Sequence, residues 1–565
     1  MKKRYAVPIV IWLIVLCSCY YVILPPLNIH SPEFWTFFMV FILVPLFILS
    51  MIKSFSDGGT WKERLQGLRS SKNKGKLFTK VVLVAFAICL VALFGGTLFG
   101  APIFHAKGYA SILSMKEYDF TEDIDESKVL NKVALMDTAS ARILGNRKIG
   151  SLSNVVSQFD VAYDYTQIDY KGGPLKVAPL EYTGFFKYLA NKKDGVPGYV
   201  TVDPVGQSTK YVTCDGGMKY VPSAYFQKDL LRHLRFAYPT SIFENIHFEV
   251  DEDGNPYYVA SVMAYKISLF NGETVKGVVI LDPITGETRY YKVKDIPTWV
   301  DKAYDGDLLV RQFDWYGTYN NGYINSLFAK KGCRKSTETH RSGSDDGDDG
   351  VADYGYISKE GDIWIYTGVT SVNEDASNIG FIMVNERTGE AHYFTIPGAD
   401  ENSAMNAAEG EVQEKAYKAS FPSLINVQGN ATYIMLLKDA NDIVKMYAMV
   451  NVEQYNLVTT GETLTECYDS YCKLLGLSTK NDEQGDKKQA EGEKKEVTFV
   501  IDKIQTVVIE GDTYIYFTDK ENHIYKQRFA DNEELILLEK GTKVKANCTV
   551  DKNGVATINE ISETE

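Results

Sequence analysis

The amino-acid sequence predicts an α+β protein with three N-terminal transmembrane helices, tandem helix-plus-antiparallel-sheet units and a C-terminal small β-barrel of the OB-like or SH3-like kind. Three observations lead to this prediction: three apolar runs before residue 100, one phrase that occurs three times, and alternating apolar residues in the last block. At 565 residues the chain exceeds one ordinary domain, so several domains are expected after the apolar runs.

The apolar runs cover about residues 6–24, 35–52 and 81–99, and each is long enough to cross about 30 Å of hydrocarbon as a helix. Basic residues precede the first run and fill the loop 53–80, whereas the link between the first two runs has none. The positive-inside rule therefore predicts a multi-pass plasma-membrane protein with a cytoplasmic N-terminus and everything after about Gly100 outside the cell. A cleaved signal ending near residues 16–19 is the alternative, and it leaves the two later runs unexplained.

Within the basic loop, Trp61, Leu65 and Leu68 fall on one helical face among lysines and arginines. This pattern fits a short helix that lies on anionic lipid headgroups. An ordinary basic connector fits equally well, and the sequence leaves both interpretations open.

Charge is divided unevenly along the chain. The first 100 residues carry a net charge of +8 and the remainder carries −21, which gives −13 in total. An acidic outer region repels nucleic acids, so we expect no nucleic-acid partner. The same charge is compatible with cationic partners.

The outer region contains sparse cysteines, odd in number, at positions Cys214, Cys333, Cys467, Cys472 and Cys548. They form no Cys-x-x-Cys pair and no zinc spacing, and a disulfide-dense scaffold is excluded. We expect apolar fillers or free thiols, and we expect neither a cofactor nor a metal.

Shifts in composition divide the chain into successive segments. They are a membrane anchor 1–100 with its cytoplasmic loop 53–80, a helical stalk 101–150, a first α+β repeat region 151–332, a mobile acidic loop 333–352, a second α+β repeat region 353–477, a linker 478–495 and the small β-barrel 496–565. The stretch 332–350 has no Leu, Ile, Val or Phe to bury, which predicts a surface loop. The last block reads as five or so strands.

The repeated phrase consists of an apolar strand, a polar turn with glycine, and a second strand rich in aromatic or β-branched residues. Its copies read Gly198-Tyr-Val-Thr-Val-Asp-Pro-Val-Gly-Gln-Ser-Thr-Lys-Tyr-Val212, Gly277-Val-Val-Ile-Leu-Asp-Pro-Ile-Thr-Gly-Glu-Thr-Arg-Tyr-Tyr291 and Gly380-Phe-Ile-Met-Val-Asn-Glu-Arg-Thr-Gly-Glu-Ala-His-Tyr-Phe394. Each copy predicts a hairpin, in which Asp-Pro and Thr-Gly-Glu are turn formers rather than catalysts.

A helix, a strand, an Asp-Gly turn and a further strand precede the second copy. This order, ending in Val-Ile-Leu-Asp-Pro-Ile-Thr-Gly-Glu, resembles the PepSY domain, a small α+β module of secreted and membrane-attached bacterial proteins. The resemblance is best over 228–291 and weaker over 354–394 and 409–475, and Asn385-Glu386 replaces Asp-Pro in the third copy. It implies binding or inhibition of an envelope enzyme, or envelope sensing, and no catalysis. The arrangement of the whole chain, apolar runs followed by repeats, is also similar to that of uncharacterised clostridial-type membrane proteins.

Several motifs suggest chemistry, and each has a structural alternative. Asp137 lies in Leu-Met-Asp-Thr-Ala, which resembles the aspartic-protease motif, but alanine replaces its glycine and a helix-capping aspartate is the other interpretation. His233 and His247 lack a carboxylate or cysteine at metal-ligand spacing. The acidic turns 251–256 and 345–350 resemble calcium loops but lack the glycine or distal glutamate that such loops require. A hairpin turn and a surface loop are their alternatives.

An aromatic run supplies the predicted partner-binding residues, which are Phe313, Trp315, Tyr316, Tyr319 and Tyr323. Aromatic rings mixed with Asn, Asp and Gly are typical of binding surfaces, and the same composition also builds domain cores.

Together these features predict a membrane-anchored extracytoplasmic binding or scaffold protein of the bacterial envelope that is not an enzyme. We expect it to engage a peptide, a peptidase or another envelope partner through its PepSY-like repeats. An accessory subunit of a transport system is one alternative, although the apolar runs carry no charge that would line a conducting path. An envelope hydrolase with an unrecognised site is the other.

Overall fold

The computed structural model of the chain describes residues 2–49, 74–124, 133, 135–337, 354–372, 377–477, 494–509, 512–521, 523–529, 532, 535, 537–550 and 555–564. Contacts divide the chain into two compact units, Met1–Leu474 and Leu475–Glu565. The predicted lipid-binding residues Trp61, Leu65 and Leu68 lie outside the described residues, as does most of the predicted acidic loop.

The prediction of three spans is wrong. In the part of the chain that is described, two helices are long and apolar enough to cross a membrane, Pro32–Leu49 and Lys80–Phe99, with mean hydropathies of 2.0 and 2.7. The N-terminal helix Lys2–Ile23 contains only the shorter apolar stretch Val10–Ile23. That stretch falls short of the roughly 20 residues that a spanning helix needs.

Within the described residues the helices include, in chain order, Lys2–Ile23, Pro32–Phe38, Lys74–Leu90, Gly96–Phe99, Pro102–Ala110, Phe120–Asp123, Thr138–Gly150, Ser153–Val156, Phe185–Asn191, Leu230–Ala237, Gly306–Tyr319, Tyr323–Leu327, Glu401–Glu411 and Leu464–Leu475. Single π-helical turns, Met39–Leu43 and Val91–Gly95, continue the two candidate spans. Helices of the body begin at aspartate caps whose side chains accept a backbone N–H, namely Asp119, Asp137, Asp229, Asp305 and Asp400.

The strands of the first unit are β1 (Met115–Glu117), β2 (Phe159–Val161), β3 (Thr166–Tyr170), β4 (Gly173–Tyr182), β5 (Val196–Val202), β6 (Thr209–Met218), β7 (Phe243–Val250), β8 (Pro256–Ile267), β9 (Asn271–Leu281), β10 (Thr288–Lys292), β11 (Arg334–Ser336), β12 (Gly355–Lys359), β13 (Asp362–Ser371), β14 (Ser377–Asn378), β15 (Gly380–Asn385), β16 (Ala391–Phe394), β17 (Gly398–Ala399), β18 (Lys418–Ala419), β19 (Ser423–Val427), β20 (Asn430–Lys438), β21 (Val444–Asn451) and β22 (Val458–Gly461).

These strands form small sheets, each built on an antiparallel meander, and the sheets follow one another in chain order except that β1 pairs in parallel with β16 of the third sheet. The first sheet has the order β2-β4-β5-β6 with β3 on β4, and the second has β10-β9-β8-β7. The third has β1-β16-β15-β13-β11 with β12 on β13, and the fourth has β18-β20-β21-β22 with β19 on β20. β14 and β17 form a separate pair.

The third sheet is buried on both faces. Ile365 and Val384 point into a core shared with the second sheet and the helix Gly306–Tyr319. Their neighbours Tyr366 and Met383 point into a core shared with the fourth sheet and the helix Glu401–Glu411. Alternation along one strand therefore fills two cores, because successive side chains leave a strand on opposite faces.

The prediction of tandem units, each with its own helix on its own sheet, is also wrong. The helix Leu230–Ala237 was expected to cover the second sheet, whose core is instead closed by Gly306–Tyr319 and the third sheet. Leu230–Ala237 lies against the N-terminal helix, where Arg232 and Arg235 donate to the carbonyl oxygens of Tyr21 and Leu24 at 3.2 and 2.9 Å. Carbonyl groups at the end of the N-terminal helix, which have no partner within that helix, accept hydrogen bonds from these guanidinium groups.

The three repeated phrases form the hairpins β5–β6, β9–β10 and β15–β16. Their turns share one geometry, because the first turn residue accepts the N–H two positions on with its side-chain oxygen at 2.8–2.9 Å. That residue is Asp203, Asp282 or Asn385 in the respective copies. A short side chain that mimics a backbone turn explains why only Asp and Asn occupy this position.

The last two of these turns also fasten the sheets together. The carbonyl of Pro283 accepts the N–H groups of Lys219 and Tyr220 at 2.7 and 2.9 Å, in the segment that precedes the second sheet. The carbonyl of Glu386 accepts those of Ala303 and Tyr304 at 3.0 and 2.7 Å, in the segment that precedes the third. We call this two-bond contact the turn clasp.

The second unit contains one sheet with the order β23-β27-β28-β26-β25-β24. Its strands are β23 (Lys494–Val500), β24 (Lys503–Ile509), β25 (Asp512–Thr518), β26 (Ile524–Arg528), β27 (Lys543–Val550) and β28 (Val555–Glu563). The prediction of a barrel is not met, since no pairing joins the edge strands β23 and β24 among the residues described in this unit. One face packs around Phe499, Phe517 and Tyr525.

Candidate acidic binding pocket

An acidic pocket opens between the second sheet and the helix Gly306–Tyr319. Its cavity measures about 270 Å³ and is lined by Glu244, Asn245, Ser261, Met263, Val275, Asp305, Asp307, Leu308 and Arg311. Three carboxylates thus face one guanidinium group over an apolar floor. A few polar groups above apolar side chains are typical of ligand sites.

A β-bulge shapes one wall of this pocket. The register of β7 against β8 shifts between Glu244 and Ile246, which leaves Asn245 as the extra residue, at a φ of 48°. Asparagine tolerates the left-handed region better than most residues. The Nδ2 of Asn245 is buried and has no hydrogen-bond partner among the described residues. A donor is therefore left free at the pocket wall.

The helix N-terminus sets the two aspartates in different electrostatic surroundings. Asp305 caps the helix through the N–H of Asp307, and its carboxylate lies 3.3 Å from the ammonium of Lys302. Burial alone would raise the pKa of Asp305, but Lys302 and that N–H hold it below its ordinary value. Burial and the neighbouring Asp305 carboxylate raise the pKa of Asp307. Burial and Glu273 raise the pKa of Glu244 in the same way.

Below the pocket lies a buried carboxylate network. Glu249 is fully buried, and its two carboxylate oxygens accept the N–H groups of Asp301 and Lys302 at 3.0 Å each. Its Oε1 also lies 2.7 Å from the Nε2 of His247. Asp301 in turn accepts the N–H of Asp169 at 2.7 Å. Burial and the Glu249 carboxylate hold the pKa of Asp301 far above its ordinary range.

Glu386 is the least compensated group of this network. It is 0% exposed, and neither of its carboxylate oxygens has a hydrogen-bond partner among the described residues. Burial raises its pKa to about 8 against the attraction of Lys302. Burial also lowers the pKa of the nearby Lys176 to about 8. An ionised carboxylate without a hydrogen-bond partner is costly in a protein interior, so Glu386 binds its proton more tightly than an exposed glutamate does.

The pocket and the network together carry an excess of acidic groups. This arrangement attracts a cationic group, and the carboxylates offer acceptors to an ammonium or guanidinium ion. Across the described ranges of the chain, no group of three or more His, Cys, Asp or Glu side chains is placed to hold a metal ion.

A second polar cluster lies at the edge of the third sheet. The carboxylate oxygens of Asp123 lie 2.7 Å from the Nζ of Lys359 and 2.7 Å from the Nδ1 of His392. The His392 ring stacks on Tyr118 with ring centroids 3.9 Å apart. A cavity of about 500 Å³ adjoins it, lined in part by Tyr118 and Asp119. Burial would raise the pKa of Asp123, but Lys359 and the hydrogen bond with His392 lower it. This cluster joins the helix Phe120–Asp123 to β12 and β16.

The predicted partner-binding aromatics lie mainly inside the fold. Phe313 is 0% exposed within the core of the second and third sheets, so it cannot contact a partner. Trp315 and Tyr319 pack on Tyr109, with centroids 4.9 and 6.1 Å apart. Tyr316 packs against the same core as Phe313. These rings fasten the body to the helix that follows the second candidate span.

Tyr323, the last of the predicted aromatics, stacks on Tyr319 with centroids 6.3 Å apart and is half-buried. It lies at the start of the short helix Tyr323–Leu327.

The other residues singled out from the sequence have structural roles. Asp137 caps the helix Thr138–Gly150 and pairs with Lys438. His233 lies 2.8 Å from the carbonyl oxygen of Gly286 through its Nε2. Asp251 accepts N–H groups within its own hairpin turn. The turn 345–350 lies outside the described residues. All eight cysteines are free thiols.

The acidic pocket was missed because its members are far apart in sequence. Asp301, Asp305 and Asp307 do fall within seven residues, in Asp-Lys-Ala-Tyr-Asp-Gly-Asp. Glu386 had a signal of its own, because it stands where the first two copies of the phrase have proline.

Comparison with known proteins adds little to this description. No family model matches the chain, and no curated protein matches it. Among solved structures, the α-L-arabinanase of Cellvibrio cellulosa is 12% identical, with a TM-score of 0.16 over 71% of this chain and 96% of that one. A levansucrase mutant of B. megaterium is 10% identical, with a TM-score of 0.16 over 78% and 99%. Likenesses of this size carry no argument about fold or function.

Proposed function

We propose that this protein is a membrane-anchored extracytoplasmic binding protein whose acidic pocket recognises a cationic group on a peptide or other envelope partner. The observation that carries the proposal is the convergence of Glu244, Asp305 and Asp307 on one cavity with only Arg311 to balance them. Charge complementarity of this kind selects partners and speeds their association.

The membrane placement is part of this proposal. Two spans, Pro32–Leu49 and Lys80–Phe99, leave residues before Pro32 and after Phe99 on the same side of a membrane. The basic stretch 53–80 then lies on the opposite side, which by the positive-inside rule is the cytoplasm. The body therefore lies outside the cell, beside the plasma membrane.

The pocket lies near the membrane in this arrangement. Glu33, in the first turn of the first candidate span, is among the charges that raise the pKa of Glu244. A partner that reaches the pocket therefore approaches along the membrane surface. The resemblance of 228–291 to PepSY domains remains a prediction, and it agrees with a peptide or peptidase partner.

Calorimetric titration of the full chain in detergent with hexalysine and with hexaglutamate tests this proposal. We expect hexalysine to bind, and Glu244→Gln with Asp307→Asn to weaken binding by about tenfold or more, since a lost charged contact is worth about 1.5–3 kcal/mol. Glu287→Gln makes the same change in charge at an exposed turn and should leave binding unchanged. Equal binding of both peptides, or equal loss in the control, would refute the proposal.

An envelope hydrolase is the second candidate function. The observation in its favour is that Asp305 and Asp307 share a pocket while their pKa values are moved in opposite directions. In acid–base pairs of carboxyl groups, the member with the raised pKa serves as the acid and the member with the lowered pKa serves as the base. Turnover of peptide or glycan substrates by the parent protein, abolished in Asp307→Asn, would favour this function over binding alone.

A further inference from the structure

The body joins the apolar helices at a single level. Ser268, at the tip of the β8–β9 hairpin, donates to the carbonyl oxygen of Gly96 at 2.8 Å. The next residue of that tip, Leu269, offers its carbonyl oxygen to His30, 2.8 Å from its Nδ1. The N–H of Leu27 donates to Pro239 at 2.7 Å. The start of the first candidate span and the end of the second therefore meet at one hairpin tip.

An exposed aromatic group lies beside this level. We call it the aromatic lip, and its members are Phe185, Phe186, Leu189, Tyr225 and Phe226. Phe186 is 81% exposed and Phe226 is 51% exposed. Phe185 links the group, with ring centroids 5.0 Å from Tyr225 and 5.8 Å from Phe186. Contiguous exposed apolar side chains of this size are rare on soluble surfaces and mark an interaction site.

Arg232 ties the aromatic lip to the N-terminal apolar helix. Its Nη1 donates to the carbonyl oxygen of Phe226 at 2.6 Å, and its Nε donates to that of Tyr21 at 3.2 Å. Its guanidinium carbon lies 4.3 Å from the centroid of the Tyr21 ring. One side chain thus bridges the aromatic lip and the end of the N-terminal apolar helix.

A second exposed group lies beyond the end of the second candidate span. We call it the aliphatic lip, and its members are Ile103, Phe104, Ile324, Leu327 and Phe328, which are 51–80% exposed. The helix Pro102–Ala110 begins three residues after Phe99, and Tyr109 fixes it by donating to the carbonyl of Gly100 at 2.8 Å. The short helix Tyr323–Leu327 packs on it.

We propose that both lips insert into the interfacial layer of the lipid bilayer from which the candidate spans emerge. This inference rests on the membrane placement proposed above and goes beyond it, because it assigns a lipid-binding surface to the folded body. Both lips are continuous with the apolar helices, so the lipid that surrounds those helices also reaches the lips.

The charges around the lips agree with lipid as the occupant. The body is acidic overall, yet exposed lysines follow each lip closely in sequence, with Lys192 and Lys193 after the aromatic lip and Lys330 and Lys331 after the aliphatic lip. Lysines next to exposed apolar side chains are typical of interfacial segments, where apolar groups enter the acyl boundary and ammonium groups meet phosphate. Contact of both lips with lipid therefore fixes the orientation of the body relative to the membrane.

Depth-dependent quenching of added tryptophans tests the proposal. The full chain is reconstituted into vesicles of phosphatidylcholine and phosphatidylglycerol, with lipids brominated at the acyl position nearest the headgroup. Phe186→Trp and Phe328→Trp each add one indole at a lip. Relative to the parent protein, we expect each to add blue-shifted emission that brominated lipid quenches, since an indole in the interface leaves water.

Asp253→Trp is the matched control. It lies in the exposed turn at the far end of the β7–β8 hairpin, roughly 35 Å from the tip by the length of β8, which spans Pro256–Ile267. Its added emission should be red-shifted and unquenched. Quenching at the lips no greater than at Asp253→Trp overturns the lipid surface alone. A parent protein that does not float with the vesicles overturns the membrane placement on which it rests.

Discussion

The second and third copies of the repeated phrase form the same turn and bury different groups. In each turn one carbonyl oxygen accepts two N–H groups from the segment that precedes its sheet. That carbonyl belongs to Pro283 in the second copy and to Glu386 in the third. Pro283 is buried without a charge to solvate, whereas Glu386 is buried without a hydrogen-bond partner for its carboxyl group among the described residues. The backbone task of the turn is therefore independent of the side chain that it brings into the core.

This difference shows where a repeated structure can acquire a new property. The clasp needs only a backbone carbonyl, so the residue that supplies it is free to vary. In the third copy that freedom places an ionisable group among Lys302, Asp305 and Glu249. The second copy has the same clasp without an ionisable side chain, so it serves as the reference for the effect of Glu386.

The largest expected effect comes from replacing the titratable carboxyl group of Glu386. Its folded pKa of about 8 exceeds the ordinary value of 4.5, so between these values the folded state holds a proton that the unfolded state has lost. The free energy of unfolding then falls as pH rises through this window, by about 1.4 kcal/mol per pH unit for one group. Urea titrations of the full chain in detergent between pH 5 and 8 should show this slope, reduced by that amount in Glu386→Gln.

Two other groups bear on this measurement. Asp301, whose pKa is also raised, contributes a slope of the same sign that Glu386→Gln leaves in place. Lys176, with a pKa lowered to about 8 from 10.5, makes stability rise with pH only above pH 8. Glu287→Gln, in the second copy, should leave the slope unchanged. An identical slope in Glu386→Gln and the parent protein would contradict the assignment.

A smaller contrast is expected at the glycines of the two turns. Gly286 and Gly389 have φ values of 86° and 74°, which cost an alanine roughly 1–2 kcal/mol. A Cβ would lie 2.4 Å from the Tyr220 ring at Gly286 but 3.2 Å from the Tyr304 ring at Gly389. Thermal melting should therefore place Gly286→Ala below Gly389→Ala, and both below the parent. A reversed order would mean that the Tyr220 ring moves aside for the new methyl group at Gly286 more easily than the 2.4 Å distance indicates.

The smallest contrast concerns the first residue of each turn. Asn385 is 3% exposed, accepts the N–H groups of Arg387 and Thr388, and donates to Asp362 at 2.8 Å. Asp282 is more exposed and bonds only within its own turn, for example to the N–H of Ile284 at 2.8 Å. We expect a loss of about 2 kcal/mol for Asn385→Ala and about 1 kcal/mol for Asp282→Ala in denaturant unfolding. Equal losses would show that the bond to Asp362 contributes nothing.

Local features of this fold follow from the sequence, and the turns illustrate why. Asp or Asn at the start, glycine at the left-handed position and apolar alternation on either side specify a hairpin within fifteen residues. The aspartate at position 137 could likewise be assigned as a cap from the residues that follow it. Such features depend only on neighbours along the chain.

The features that were mispredicted depend on distant contacts. The third sheet is buried on both faces because it packs against two other sheets. Ile365 and Tyr366 point to opposite faces, and since both are buried in cores, the sequence of this strand shows no polar face from which the packing could be predicted. The helix Leu230–Ala237 has an apolar stripe that fits a sheet as well as it fits another helix. The acidic pocket combines β7 with residues some sixty positions later. Sequence patterns do not specify which of several compatible surfaces a segment will meet.

The turn clasp also has a consequence for how the chain is made. Each clasp lies in the last hairpin of its sheet and binds a segment that left the ribosome earlier, so a sheet fastens itself to its predecessor only when its own final strands arrive. In the extracytoplasmic placement proposed above, the body crosses the membrane from its N-terminal end, so each completed sheet secures the junction with the sheet before it. A chain cut short within a sheet therefore leaves its last junction without the two hydrogen bonds of the clasp.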